Sequence, residues 1–549
     1  MASTPTTKSQ VQAYRFVIRR MESALVRKDP VMLHDPMRSH KRATVVGVIL
    51  GAVGLLIFAI FGLFSPSQSL PATGIVIGAQ SGQVYVISQN PYQLIPVFNV
   101  ASARLLMMVE ANHGAPLVPG ASGSSSSAPQ ITQPQTISDD QLKNIPMGRL
   151  TGIPDGPPEL PAPGTGTSNW AVCDQIPPPN PIGQTGPVPP TTTVLAGVTS
   201  IGTNLAQNDV LLVQAPNHGQ EYLIYDKPPS VNNAEDDSAV AAPIDSNDTH
   251  VLDALHLRNV TPRPISAALL GAIPQVTAIT NPVANLSGTP NGYTLPDGLQ
   301  VGESFAVANA SGPNTFFVAL PDGLQQVSTA VAQIVGYEHG QTSFNPVPDT
   351  QISSIKQVTE LNVGSYPVNV PDAVVDASAQ PVACLGWSAD NSNPNKPLVR
   401  TKVTLDLKLE LPNNPSNPNI PMVPVAIGQP SPSGQKIDAF FMDPSHQAVA
   451  VHAATNANEF ANGPIYIVSG RGVKYSVSDG TTAQGLGISN GGNADGLSAA
   501  PESILQLLPS SAQTLSTQNV MRTFDSVPVQ SNAGYYITPS SQQNAPSGG

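Results

Sequence analysis

The chain has 549 residues, with 24 Lys and Arg against 36 Asp and Glu, for a formal net charge of −12. That acidic balance argues against a general nucleic-acid binder, whose phosphate contacts need clustered positive charge. Only 11% of residues are charged, and 57 Pro with 45 Gly exclude a chain dominated by long helices, while 40% apolar residues suffice for a sizeable core.

In chain order, the first predicted element is a basic amphipathic helix. Thr7 followed three residues later by Gln10 has the spacing of a capping box, and Val11, Tyr14, Ile18, Met21 and Leu25 recur at helical intervals to form one apolar stripe. Arg15, Arg19, Arg20 and Arg27 lie among them. Such a helix either rests on anionic lipid or docks to a cytoplasmic partner through Tyr14, Arg15, Arg19, Arg20 and Met21; composition does not choose.

The next element runs from Ala43 to Phe64 without a charge. At 1.5 Å per residue its length matches a hydrocarbon core about 30 Å thick, so a single transmembrane helix is expected. It is too long and too far from the start for a cleaved signal peptide. Residues 1–42 carry nine basic and three acidic side chains, and the remaining charge falls after the span. The positive-inside rule then places the N-terminus in the cytoplasm and the bulk of the chain outside the membrane.

Beyond the span, short runs rich in Val, Ile, Tyr and Phe are separated by Pro, Gly, Asn and Asp turns. They return in order. A unit beginning at Val84 has a counterpart at Phe316, each with two strands and then a helix of small residues. A second unit begins at Tyr222, passes His250 to Leu257 and ends before Gln275; its echo begins at Tyr466 and ends at Pro509. Asp209 and Asp438 each open a strand that runs into a Pro-x-His turn. Two similar halves, about 74–275 and 301–509, are expected about a pseudo-twofold axis. Residues 114–136 and 172–192 have the composition of linkers, the tail after Pro539 lacks apolar residues, and Glu235, Asp236 and Asp237 form a solvated acidic loop.

The only two cysteines, Cys173 in WAVC and Cys384 in CLGW, fall in different halves. Outside the membrane they predict a disulfide joining the halves, the alternative being two separate buried thiols. No catalytic residue is expected. The chain contains no GxxxxGK[ST], HExxH or CxxC. Gly487-Ile-Ser489-Asn-Gly491 fits GxSxG in form but lacks the strand and helix of a nucleophile elbow. His218 and His446 are solitary turn residues, so neither a metal site nor a cofactor is expected.

The stretches Thr6 to Ser39, LIPVFNVASARL from Leu94, PMGRLTGIP from Pro146, SNWAVCD from Ser168 and LLPSSAQTLS from Leu507 resemble the EccB family of the ESX, or type VII, secretion system. The resemblance implies a structural subunit of an inner-membrane complex with EccC, EccD and EccE, self-association, and contact outside with the mycosin protease MycP. It also implies an α+β fold: an amphipathic helix, one transmembrane helix, and an elongated β-rich region with a central β core and four repeat modules in pseudo-twofold arrangement. The expected division is an arm at 1–42, a span at 43–64, repeats at 65–113, 216–300, 301–345 and 456–520, the linker with core halves at 114–215 and 346–455, and a tail at 521–549. Family members are often labelled ATPases, which the motifs here do not support. Catalysis and recognition of envelope polymers are the competing functional readings.

Overall fold

The computed structural model describes residues 7–28, 36–63, 70–112, 133–178, 189–227, 238–286, 289, 291–296, 298–309, 312–390, 398–491 and 496–528. Two units are distinguished, residues 1–70 and 71–549. The first holds the helix Lys8–Arg27 and the helix Pro36–Leu63. The second helix starts earlier than the apolar run because Pro36 suits a first helical position and the residues after it tolerate helix.

The second unit is α+β and rich in strands. One pattern occurs four times in it. In the first repeat the strands Gly74–Gly78, Val84–Gln89 and Tyr92–Val97 form an antiparallel meander, and the helix Val100–Ala111 follows. The strand Gln135–Ile137 then pairs parallel with the first strand, and a short helix, Asp139–Leu142, comes next. The second repeat has strands Leu211–Gln214, Glu221–Lys227 and Ser238–Ile244, helix Thr249–Ala254, parallel strand Arg263–Pro264 and helix Ala267–Ala272. The third has strands Ser304–Ala308, Thr315–Leu320 and Gly323–Val327, helix Thr329–Glu338, parallel strand Val347–Pro348 and a 3-10 turn, Asp349–Gln351. The fourth has strands Ala448–Ala454, Ile465–Ser469 and Lys474–Val477, helix Gly480–Leu486, parallel strand Ser498–Pro501 and helix Glu502–Leu505. After its last helical turn, every repeat returns to bridge its own third strand, at Leu94, Ala241, Leu324 and Lys474.

Local chemistry explains the recurrence. Each meander ends just before a residue whose side-chain oxygen accepts a hydrogen bond from the first turn of the helix: Asn99 from Ser102 N (2.8 Å), Asp248 from Val251 N (3.1 Å), Ser328 from Val331 N (3.2 Å) and Asp479 from Thr482 N (2.8 Å). These caps satisfy amide groups that the helix leaves unpaired and stop the strand at the same place in each repeat. The two unit types read from the sequence are therefore one topology.

Several expectations are corrected. Gln135 and Thr136, placed in a linker, belong to the first repeat's sheet, so that repeat extends well past residue 113. Val172 to Gln175 and Thr191 are strand residues, because the Pro-rich run between them dominated the composition of 172–192. The strands opened by Asp209 and Asp438 are not equivalent. The first begins a repeat, whereas Ala439–Met442 pairs parallel with Thr191–Ala196 in the core. Residues beyond 520 include the strand Thr523–Phe524, which pairs with Leu150–Thr151 in the first repeat's sheet. Glu235, Asp236, Asp237 and the tail after Pro539 lie outside the described residues.

The central core is built on two hairpins. Asn169–Gln175 pairs with Thr191–Ala196, and Val382–Asp390 with Leu398–Asp406. The hairpins meet where Asn169–Gln175 runs antiparallel to Val382–Asp390, in a register that sets Trp170 opposite Trp387 and Cys173 opposite Cys384. A disulfide joins Cys173 to Cys384 across 211 residues of sequence. Strand alternation divides the faces. Trp170, Val172, Leu385 and Trp387 enter one apolar cluster, while Ala171, Cys173, Val382 and Cys384 enter another.

The repeats pack in two pairs. One apolar cluster is shared by the first and fourth repeats, another by the second and third. The helices of the first and fourth touch closely: a Cβ added to Gly485 would lie 1.9 Å from Met108 Sδ. Arg104 of the first repeat donates to the Leu486 carbonyl at the C-terminus of the fourth repeat's helix.

Two outcomes follow for urea unfolding followed by the fluorescence of Trp170 and Trp387. Replacing both cysteines with Ser lowers stability by up to about 5 kcal/mol, the loop-entropy limit for so long a closure. Gly485→Val lowers it by about 2 kcal/mol through overpacking. Met108→Ala in the Gly485→Val background recovers part of that loss, because the two side chains compete for one space.

Candidate functional site

The N-terminal helix begins with a formed capping box. Thr7 N donates to Gln10 Oε1 (2.9 Å), and Gln10 N donates to Thr7 Oγ1 (3.4 Å). The helix ends at Lys28, whose left-handed conformation (φ 53°) breaks the pattern. None of its residues is buried. Tyr14, Met21 and Leu25 are 68, 55 and 81% exposed, so the apolar stripe is bare, and Arg15, Arg19 and Arg20 are exposed as well. A helix with this much free apolar surface and this much positive charge is chemically suited to docking. Next in sequence, Pro36–Leu63 is the one helix among the described residues long and apolar enough to cross a membrane.

In the second unit the densest polar chemistry adjoins the disulfide. Asp174, next to Cys173, is buried at 2% exposure. Its Oδ1 accepts from Thr192 Oγ1 (2.7 Å) and Ser266 Oγ (2.8 Å), and its Oδ2 accepts from Ser266 N (2.7 Å). Ser266 in turn caps the last helix of the second repeat by accepting from Leu269 N (3.0 Å). Arg263, from the same repeat and also buried, donates through Nη2 to the carbonyl of Pro381 (3.1 Å), immediately before the second core hairpin. Burial pushes the Asp174 carboxyl above the ordinary range, against the pull of its hydrogen bonds and of Arg263. Burial lowers the Arg263 guanidinium to about 10, against the attraction of Asp174 and Asp376. These groups hold the second repeat against both hairpins. Sequence reading did not single them out: Asp174 stood in SNWAVCD as one letter of a motif, and Arg263 as an isolated cation. A carboxylate directly after a strand cysteine, where the alternation calls for an apolar residue, was the available signal.

The remaining sequence candidates lie apart. Ser489 is buried, and its hydroxyl donates to the carbonyl of Gly491 (2.7 Å), the arrangement of a structural serine. His218 is exposed in a turn of positive φ (54°), and His446 is partly exposed. Among the described residues no three His, Cys, Asp or Glu side chains gather as a metal-binding group.

The family described as "Type VII secretion system ESX-1, transport TM domain B" matches residues 3–529. The chain belongs to this family, the EccB-type components of type VII secretion systems. Among its relatives, "ESX-1 secretion system ATPase EccB1" of Mycobacterium tuberculosis (strain ATCC 25618 / H37Rv) is 26% identical over 500 residues, covering 89% of this chain and 90% of the relative. "ESX-3 secretion system ATPase EccB3" of Mycolicibacterium smegmatis (strain ATCC 700084 / mc(2)155) is 29% identical over 395 residues, 70% of this chain and 67% of the relative. The fold is that of a chain in "Structure of an intact ESX-5 inner membrane complex, Composite C3 model", with TM-score 0.62, 24% identity, and coverage of 98% of this chain and 99% of that one. It is also that of a chain in "Structure of EccB3 dimer from the ESX-3 core complex", with TM-score 0.60, 22% identity, and coverage of 82 and 100%.

Asp174 makes a signed prediction for pH. Its folded pKa is raised, so the folded state holds more protons than the unfolded one between the ordinary carboxylate value and the raised one. Its contribution is fully present below the ordinary value and is lost as pH rises through the raised one. Asp174→Asn flattens that part of the profile in urea titrations at several pH values. Asp174→Ala costs about 3 kcal/mol, because the Thr192 and Ser266 hydroxyls and the Ser266 amide lose their buried acceptor and Arg263 loses the stronger of its two carboxylate attractions.

Proposed function

We propose that this protein is a structural, membrane-anchored core subunit of a type VII secretion complex. The Pro36–Leu63 helix spans the inner membrane with the N-terminus in the cytoplasm, and the four-repeat region stands on the periplasmic side. The arm docks the cytoplasmic part of the complex through Tyr14, Arg15, Arg19, Arg20 and Met21. EccC-, EccD- and EccE-type subunits, a MycP-type mycosin and further copies of the chain are its partners. The functional divisions are the arm, the span, the four repeats and the β core, with the first repeat drawn to include residues 133–151.

The observation that carries this reading is the division of labour within one chain. A capped, basic helix with a bare apolar stripe precedes the one membrane-length helix among the described residues, and a large repeat-built region follows. That is the composition of a connector. Catalysis has weaker support: the word ATPase comes from the relatives' names, while this chain contains no Gly-Lys dipeptide from which a phosphate loop could be built.

The test is purification of tagged full-length protein from mild-detergent membranes, read by native gel and mass spectrometry. Wild-type protein is expected in a large assembly with a motor ATPase and a multi-span subunit. Arg19→Glu with Arg20→Glu removes it from that assembly while its unfolding transition stays in place. Unchanged migration of the variant would overturn the docking role, and recovery of wild type as a small oligomer alone would overturn the subunit reading.

A further inference from the structure

A small cavity lies behind the disulfide, with Asp174, Arg263, Leu211, Ile224, Val403 and Cys384 among its walls. Its volume for a water-sized sphere is about 10 Å³, close to the least that holds one water molecule. Most of its lining is apolar, and two groups break that pattern.

The first is Arg263. The residue is 4% exposed, and its Nη1 is buried without a hydrogen-bond partner among the described residues. A buried guanidinium N–H left unpaired is costly, more so for a charged donor. The second is Asp174. A carboxylate offers about four lone-pair sites. Two on Oδ1 are taken by Thr192 and Ser266 hydroxyls and one on Oδ2 by the Ser266 amide. One acceptor position remains on Oδ2. Arg263 and Asp174 attract each other, yet among the described residues no direct ion pair joins them. Arg263, with its unpaired Nη1, and Asp174 both line this cavity.

We propose that this cavity is a binding site for one structural water molecule, which accepts from Arg263 Nη1 and donates to Asp174 Oδ2. The water turns two buried charges that do not touch into one bridged pair. It ties the last strand of the second repeat to the central strand that carries Cys173. Asp376, the other carboxylate that attracts Arg263, is exposed and accepts a hydrogen bond from Ser378 N (2.9 Å). The site is independent of the proposed place of the protein in a secretion complex.

X-ray radiolytic labelling of the full-length protein in detergent tests this, because a bound water generates hydroxyl radicals where it sits. In wild type, Leu211 and Ile224 are expected to label despite their burial, with slow incorporation of oxygen from labelled solvent. Val403→Ile fills the cavity and leaves both charged groups in place, and it abolishes that labelling while the unfolding transition remains cooperative. Arg263→Met abolishes it too. A structure at about 2 Å resolution is expected to show density about 2.9 Å from Arg263 Nη1. Absence of labelling at Leu211 and Ile224 in wild type, labelling unchanged in Val403→Ile, or a direct Arg263–Asp174 contact with a dry cavity would each overturn the proposal.

Discussion

The antiparallel pairing of Asn169–Gln175 with Val382–Asp390 is the constraint on which the second unit depends. Two segments more than two hundred residues apart meet there at the centre of the large sheet, with a Trp pair on one face and a disulfide on the other. Side chains alternate across a strand with a period of two, so a slip of the second strand by one residue would send Trp387 to the disulfide face and Cys384 to the tryptophan face, away from Trp170 and Cys173. Register is therefore specified twice, once by packing and once by a covalent bond. The edges of this core then receive the repeats: the second through the pairing of Ser238 with Thr401, and the fourth through the apolar cluster that surrounds Trp170 and Trp387.

Around this centre the repeats solve a problem that none could solve alone. A meander with one helix covers one sheet face and leaves small-residue surface elsewhere, so each repeat is completed by a neighbour. The chain passes out through the first half of the core, makes the second and third repeats side by side, and comes back for the fourth to settle on the first. Ala101, Ala103, Ala483 and Gly485 permit the close helix approach on one side; Ala254, Ala330 and Ala332 do so on the other. Small residues at these crossings explain why a chain with few aromatics still packs densely.

Much of this architecture was legible in the residues. Thr7 with Gln10, the stripe from Val11 to Leu25 and the uncharged run after Ala43 each carry a local signal, and local signals survive folding. The strand-turn-strand-helix order at Val84 and Phe316 was visible for the same reason. Less visible was that the units at Tyr222 and Tyr466 share that topology, because their helices Thr249–Ala254 and Gly480–Leu486 are too short to show periodicity. The parallel fourth strands of two to four residues carry no pattern at all. Asp174 left one local sign, a carboxylate where strand alternation calls for an apolar residue, but Arg263 left none, and what the two do lies in a meeting between positions 89 residues apart. A buried charge looks like any other charge until its neighbours are known.

The strand Thr523–Phe524 closes the first repeat's sheet from the far end of the chain, with Phe524 set edge-on to Phe98 at 5.3 Å and Asp525 paired to Arg149. Domains of many proteins fold as they emerge, the N-terminal one first. Here the earliest repeat to leave the ribosome lacks its last strand and its helical neighbour until nearly every other residue has followed. The first repeat must wait, partly assembled, through the delivery of about four hundred residues. Its apolar helix face is then a natural substrate for a chaperone, and a chain truncated before residue 520 loses order at its beginning as well as at its end.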